Sequence, residues 1–108
     1  MDKNEQKRLL LEAVENAEGT KCQYVSTQGK PECVIAQLLY RLGMSEAELA
    51  ELDNTVVAVL YVPIKPIERK AQQALAPFPP KLIIGLQQHW DRGYSKDKLK
   101  TLIEAYYP

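Results

Sequence analysis

Apolar residues recur along most of the chain at the three- and four-residue spacing of amphipathic helices. The helices that this spacing predicts cover 3–18, 31–43, a short stretch capped by Ser45, and three stretches beginning at Pro66, at Pro80 and after Ser95. Their ends carry ordinary start and stop signals, with Asp or Ser at the caps, Pro at the first helical position and Gly after the last turn. The pattern therefore predicts a chain that is mainly helical.

Two stretches depart from helical spacing and favour β-strands. Residues 22–25 alternate in polarity and are followed by turn-forming residues at 26–30, which predicts a short β-hairpin. Residues 55–62 are rich in β-branched side chains and predict a third strand, with a short buried helix capped by Asn54 as the alternative. We therefore expect an α+β fold, in which an N-terminal helix and a hairpin precede packed helices, in one compact domain over 1–108.

Composition narrows the functional classes. The 108 residues include 14 basic and 14 acidic side chains, so the formal net charge of +0 lacks the basic excess of a dedicated polyanion-binding protein. No apolar run reaches the roughly 18 residues of a membrane span, and the N-terminal residues do not resemble a signal peptide. The sequence also lacks nucleotide-binding and metalloprotease motifs. We expect a cytoplasmic protein with no cofactor, no membrane contact and reduced cysteines.

Two segments resemble a pattern found in small uncharacterised proteins of bacteriophages and prophages. The residues that carry the resemblance are Cys22, Tyr24, Gly29, Pro31, Cys33, Val34, Ile35, Ala36, Leu39, Leu42 and Gly43, and later Leu86, Gln87, Trp90, Asp91 and Gly93. The intervening stretch 52–80 does not match. The resemblance implies a mobile-element origin and a host protein as the partner, and it assigns no enzymatic activity.

Cys33 is the sharpest candidate for chemistry, because a thiol at the start of an apolar helix lies near the positive end of the helix dipole. The segment around it resembles the nucleophile segment of papain-like and NlpC-like cysteine hydrolases, and this resemblance implies a base, for which His89 is the single histidine. His89 is predicted within a helix instead of at the start of a strand, so a packed thiol is the favoured interpretation and we expect no enzyme. Cys22, Cys33 and His89 lack the paired spacing of a zinc site, so no metal site is predicted.

The last two predicted helices form a unit that is similar to a helix–turn–helix, which is one way of placing a helix on DNA. Lys96, Lys98 and Lys100 lie on the second of them, where they are candidates for contacts with DNA phosphates. A solvated helix face is the alternative, and the balanced charge of the chain favours it.

Aromatic side chains in the second half of the chain indicate a protein interface. These residues are Phe78, Tyr94, Tyr106 and Tyr107. Exposed tyrosines are enriched in interfaces, although packing in the core is the alternative explanation for all four. Since no complete catalytic set is present, the sequence favours a non-enzymatic module that binds another protein or a second copy of itself. DNA binding and cysteine hydrolysis remain the alternatives.

Overall fold

The structure, a computed structural model, describes residues 1–18, 33–52 and 60–108. Within these ranges the chain forms six helices: α1 (Lys3–Asn16), α2 (Val34–Arg41), α3 (Glu46–Glu51), α4 (Pro66–Leu75), α5 (Pro80–Asp91) and α6 (Lys96–Tyr106). None of these helices has the length and hydropathy needed to span a membrane. The radius of gyration is 12.6 Å, and because about 13 Å is expected for a folded chain of this length, the packing is compact.

Side-chain caps fix several helix ends where the sequence predicted them. At the start of α1, the Asp2 carboxylate accepts a hydrogen bond of 2.8 Å from the Glu5 N–H. At the start of α3, Ser45 Oγ accepts the Glu48 N–H at 3.2 Å, and the Glu48 carboxylate accepts the Ser45 N–H at 3.0 Å. This reciprocal pair is a capping box and confirms the predicted start. The other confirmed starts are those at Pro66, Pro80 and Ser95.

Helix α2 lies at the centre of the hydrophobic core. Its fully buried residues are Val34, Ile35, Ala36, Leu38 and Leu39. Helices α1, α3, α4 and α5 all pack against it, and burying each of its large aliphatic side chains contributes about 1.5–3 kcal/mol. The predicted start at Pro31 is wrong, because α2 begins at Val34 after the N-cap Cys33, whose Sγ accepts the Ala36 N–H at 3.5 Å.

Helix α6 packs antiparallel to α1 and also contacts α5. Beyond the C-terminal end of α6, the Tyr107 hydroxyl donates to Gln6 Oε1 near the start of α1 at 2.9 Å. Near the N-terminal end of α6, Lys100 forms an ion pair with Glu15 at the end of α1. Because these two contacts lie near opposite ends of α1, they fix the position of α6 along it.

The α+β class predicted from the sequence is wrong, although the prediction of a mainly helical chain is confirmed. The described residues contain helices and turns and no strand. The hairpin predicted at 22–30 and most of the strand predicted at 55–62 lie outside the described residues. At the described end of the latter stretch, Leu60 and Tyr61 form a 3₁₀ turn and Val62 lies in a bend, with Leu60 fully buried. The prediction of a strand at 55–62 depended on a short apolar run, a pattern that does not by itself distinguish a strand from another buried segment.

Candidate functional site

The turn between α5 and α6 brings aromatic side chains together. Gly93 adopts a left-handed φ of 82°, its N–H donates to the Trp90 carbonyl at 3.0 Å, and the Tyr94 N–H donates to the His89 carbonyl at 3.0 Å. This pair of hydrogen bonds is the Schellman motif that ends many helices, and it normally brings the residue after the glycine against the last turn. Accordingly, the rings of His89 and Tyr94 stack with their centroids 4.4 Å apart and their planes at 23°.

A surface pocket of about 270 Å³ opens beside this stack. The residues that line it are His89, Tyr94, Lys98, Thr101 and Leu102. The last three share one face of α6, because they are spaced three and four residues apart. Lys98 Nζ lies 5.1 Å from the centroid of the Tyr94 ring, within the range of a cation–π interaction. The pocket therefore combines an imidazole, an ammonium group and an aromatic ring with an aliphatic side chain.

Cys33 and His89, the pair that the hydrolase alternative requires, lie in different surroundings. Cys33 is fully buried at the N-terminus of α2, whereas His89 lines the open pocket, to which Cys33 does not contribute. A catalytic thiol has to be reached by its substrate, so the geometry gives this alternative no accessible nucleophile. Among the described residues, no group of three or more His, Cys, Asp or Glu side chains lies close enough to hold a metal ion. Cys22 lies outside the described residues.

The three lysines considered as DNA contacts do not share one exposed face. Lys96 Nζ donates to the backbone carbonyl of Glu15 at 2.7 Å, and Lys100 Nζ donates to the Glu15 carboxylate at 2.5 Å. This second hydrogen bond is the main reason why the pKa of Glu15 is lowered and the pKa of Lys100 is raised. Lys98 instead lies over Tyr94. Two of the three ammonium groups thus have acceptors on α1, and DNA binding stays a prediction that would depend mainly on Lys98.

The aromatic side chains expected at an interface are divided between core and surface. Tyr94 and Tyr106 are 39% and 48% exposed, whereas Phe78 and Tyr107 are buried. The prediction that Phe78 and Tyr107 are exposed is therefore wrong. The Phe78 N–H bonds to the Leu75 carbonyl at 3.0 Å in a turn after α4, and its ring packs in the core, while burial raises the pKa of the Tyr107 phenol. Helix α6, whose 11 residues span roughly 16 Å, separates the two exposed tyrosines, so they do not form one patch.

Among the described residues, the most exposed large apolar side chains lie elsewhere, in the segment before α4. Val62 is 72% exposed and Ile64 is 77% exposed. Pro63 and Pro66 disfavour helical backbone at the residues that precede them, and Lys65 is extended with φ −88° and ψ 151°. These two exposed aliphatic side chains, separated by Pro63, are called here the Val62–Ile64 surface.

Side chains of α4 form hydrogen bonds with the backbone of this segment before Val62 and again at Ile64 and Lys65. The buried Glu68 accepts hydrogen bonds at Oε1 from the N–H groups of Lys65, at 2.8 Å, and Ile64, at 3.1 Å. These hydrogen bonds lower the pKa of Glu68, so the carboxylate stays ionised and the hydrogen bonds are charge-assisted. On the other side, Gln72 Nε2 donates to the Tyr61 carbonyl at 3.2 Å. The exposed pair is thus held on an ordered segment.

The sequence contains a signal for this surface that helical periodicity does not capture. Val62 and Ile64 flank one proline and precede a second, which indicates a short extended segment with aliphatic side chains at alternate positions. Glu68 stands two residues after Pro66, where its carboxylate reaches back to the N–H groups that precede the helix.

The comparisons with known proteins add no functional assignment. No protein-family model matches the chain, no curated protein matches it, and no solved structure matches it. The resemblance to bacteriophage and prophage proteins therefore stays a prediction, and functional proposals depend on the geometry of the chain itself.

Proposed function

We propose that the chain is a small cytoplasmic, non-enzymatic module that binds another protein through the Val62–Ile64 surface. The observation that carries the proposal is the exposure of two large aliphatic side chains on a segment that Glu68 and Gln72 hold in place. Contact of such side chains with water is unfavourable, and covering each of them contributes about 1.5–3 kcal/mol. A partner that covers both gains this contribution without first having to order the segment.

The hydrogen bonds of the segment also indicate how a partner recognises it. Extended segments are commonly bound by adding a strand to a sheet edge, which uses their backbone N–H groups. The N–H groups of Ile64 and Lys65 are already donated to Glu68, so this mode would break existing charge-assisted hydrogen bonds. The mode that preserves them is insertion of the two aliphatic side chains into an apolar groove of the partner. A carboxylate at the edge of that groove would complement Lys65.

Photo-crosslinking followed by a binding measurement tests this proposal. A photoreactive residue in place of Val62 is expected to capture a specific protein from the native host, which is then purified and titrated by calorimetry. The substitution Ile64→Ser removes one of the two aliphatic side chains and is expected to weaken binding about tenfold or more. Tyr106→Ser removes another exposed side chain, at the end of α6, and as the matched control it is expected to leave the affinity unchanged.

Self-association is tested in the same experiment. If sedimentation velocity shows that the wild-type chain is a dimer and that Ile64→Ser makes it a monomer, the partner is a second copy of the chain. The proposal fails if Ile64→Ser retains its helical circular dichroism and binds as tightly as the wild type. It also fails if neither a captured protein nor self-association is found.

A further inference from the structure

The pocket between α5 and α6 has an unpaired positive charge. Lys98 is the one lysine or arginine among the five lining residues, and within the described part of the chain no carboxylate forms an ion pair with it. Lys96 and Lys100, its neighbours on α6, both bond to Glu15. The Lys98 ammonium group lies over the Tyr94 ring instead, so its charge is available to an anion in the pocket.

His89 adds a second hydrogen-bond donor. Its Nδ1 atom is buried and has no hydrogen-bond partner among the described residues, whereas Nε2 does not combine burial with the lack of a partner. A buried N–H without an acceptor is rarer in proteins than an unsatisfied acceptor, so the tautomer with its proton on Nε2 fits this site. Thr101 does not offer a third donor, because its hydroxyl already donates to the Asp97 carbonyl at 2.9 Å.

We infer that this pocket binds a small organic monocarboxylate. The carboxylate meets Lys98 Nζ and His89 Nε2, and the apolar body of the ligand packs against Leu102 and the Tyr94 ring. The single lysine charge matches a monoanion better than a phosphate dianion. The positive end of the α6 dipole lies at the same end of the helix and favours an anion there as well. This inference does not depend on the Val62–Ile64 surface.

The size and lining of the pocket limit the ligand further. Its volume of about 270 Å³ lies below the roughly 300–1,000 Å³ of ordinary ligand sites, which suits a short-chain acid. An inorganic anion would leave Leu102 and the aromatic ring uncovered, so a ligand with an apolar body gains contacts that sulfate or acetate cannot make.

Proton NMR of His89 provides a direct test, because it is the single histidine of the chain and its ring signals are unambiguous. Sodium hexanoate, added at constant pH and ionic strength, is expected to shift these signals with saturation. Hexan-1-ol has the same apolar body without the charge, and acetate has the charge without the body. Both are expected to bind at least about tenfold more weakly than hexanoate.

Two lysine substitutions separate the pocket from general charge effects. Lys98→Met keeps the apolar stem of the side chain and removes its charge, and it is expected to weaken hexanoate binding about tenfold. Lys81→Met makes the same replacement at an exposed position near the start of α5 and is expected to leave binding unchanged. Unfolding curves of both variants verify that the fold is retained.

Short peptides that end in leucine, with a free or an amidated C-terminus, distinguish the source of the carboxylate. Tighter binding of the free-acid peptide than of hexanoate assigns the pocket to a protein C-terminus, and weaker binding assigns it to a free organic acid. Both results support a carboxylate site. The inference is overturned if hexan-1-ol or sulfate shifts the His89 signals as effectively as hexanoate does, if hexanoate produces no saturable shift, or if Lys98→Met binds hexanoate as the wild type does.

Discussion

Two glycines of α5 and its C-terminal turn provide Gly→Ala substitutions with opposite expected effects on stability. Gly85 lies within α5, whereas Gly93 lies just beyond it with φ 82°. At both positions an added Cβ would meet no atom within 4 Å beyond the adjacent residues and the local helix backbone. Side-chain packing therefore does not enter the comparison, and the backbone conformation alone decides the sign of the change in unfolding free energy.

The expected magnitudes follow from the two conformations. Alanine in the left-handed conformation of Gly93 costs roughly 1–2 kcal/mol, so Gly93→Ala is expected to destabilise the protein by about this amount. In the interior of a helix, alanine is favoured over glycine by about 0.5–1 kcal/mol, so Gly85→Ala is expected to stabilise it. For a domain of this size, each kcal/mol corresponds to a shift in melting temperature of about 4–8 °C, which makes the difference between the variants easy to measure.

Urea unfolding followed by tryptophan fluorescence and by circular dichroism is the appropriate assay. Trp90 is the single tryptophan and is buried, so its emission reports the loss of the core around α5, while dichroism reports all the helices. Gly43, with φ 107° and no neighbour within 4 Å of an added Cβ, is an independent repeat of the Gly93 experiment after α2. The reasoning is refuted if Gly93→Ala and Gly85→Ala change the stability in the same direction, or if Gly43→Ala is stabilising.

Further expectations concern a buried carboxylate and two phenols. Glu68→Gln is expected to lower the unfolding free energy at pH 7, because the neutral amide reduces the charge assistance of two hydrogen bonds. The pKa of Glu68 in the folded protein lies below the ordinary 4.5. The difference in unfolding free energy between wild type and variant is therefore complete above pH 4.5 and shrinks as the pH falls through the folded pKa. An advantage that stays constant down to pH 2 would contradict this cause. Tyr61→Phe removes a buried hydroxyl that has no partner among the described residues, so thermal unfolding is expected to show unchanged or slightly higher stability. Burial raises the pKa of the Tyr61 phenol to about 12, and this titration should disappear from the ultraviolet spectrum of the variant. Tyr107→Phe, in contrast, deletes the hydrogen bond to Gln6 and is expected to cost about 0.5–1.5 kcal/mol; equal costs for the two phenylalanine variants would show that the hydrogen bond contributes nothing.

The helix starts could be predicted from the sequence because their causes are local. The side chain of Asp2 or Ser45 needs only the N–H group three residues later, and the prolines need only a first helical position. The start of α2 was misplaced for the same reason. Pro31 satisfied the local rule, but Cys33 provides the cap in the structure, and sulfur is a weak acceptor that sequence rules rank below Ser or Asp.

The surroundings of the aromatic and lysine candidates could not be predicted in the same way, because burial and side-chain partners depend on contacts between distant parts of the chain. Phe78, set among prolines, has the local sequence of an exposed turn, yet the end of α4 directs it into the core. Tyr106 and Tyr107 are adjacent, but α6 ends between them, so the helical spacing that places Tyr106 no longer describes Tyr107. The pairing of Lys100 with Glu15 across 85 positions likewise has no local signal.

Hydrogen bonds hold the backbone in place at both candidate sites. Glu68 and Gln72 hold the Val62–Ile64 surface from α4, and the Schellman motif at Gly93 holds the His89–Tyr94 stack at the end of α5. Fixing a residue of a flexible loop costs roughly 1–2 kcal/mol of backbone entropy, and a site that is already ordered avoids this cost when it binds. Helix α2, with its residues in the core, supplies the packing that keeps α4 and α5 in place. Of the helices that the structure describes, the most apolar one would therefore serve both proposed sites indirectly, by holding in place the two helices, α4 and α5, next to which they lie.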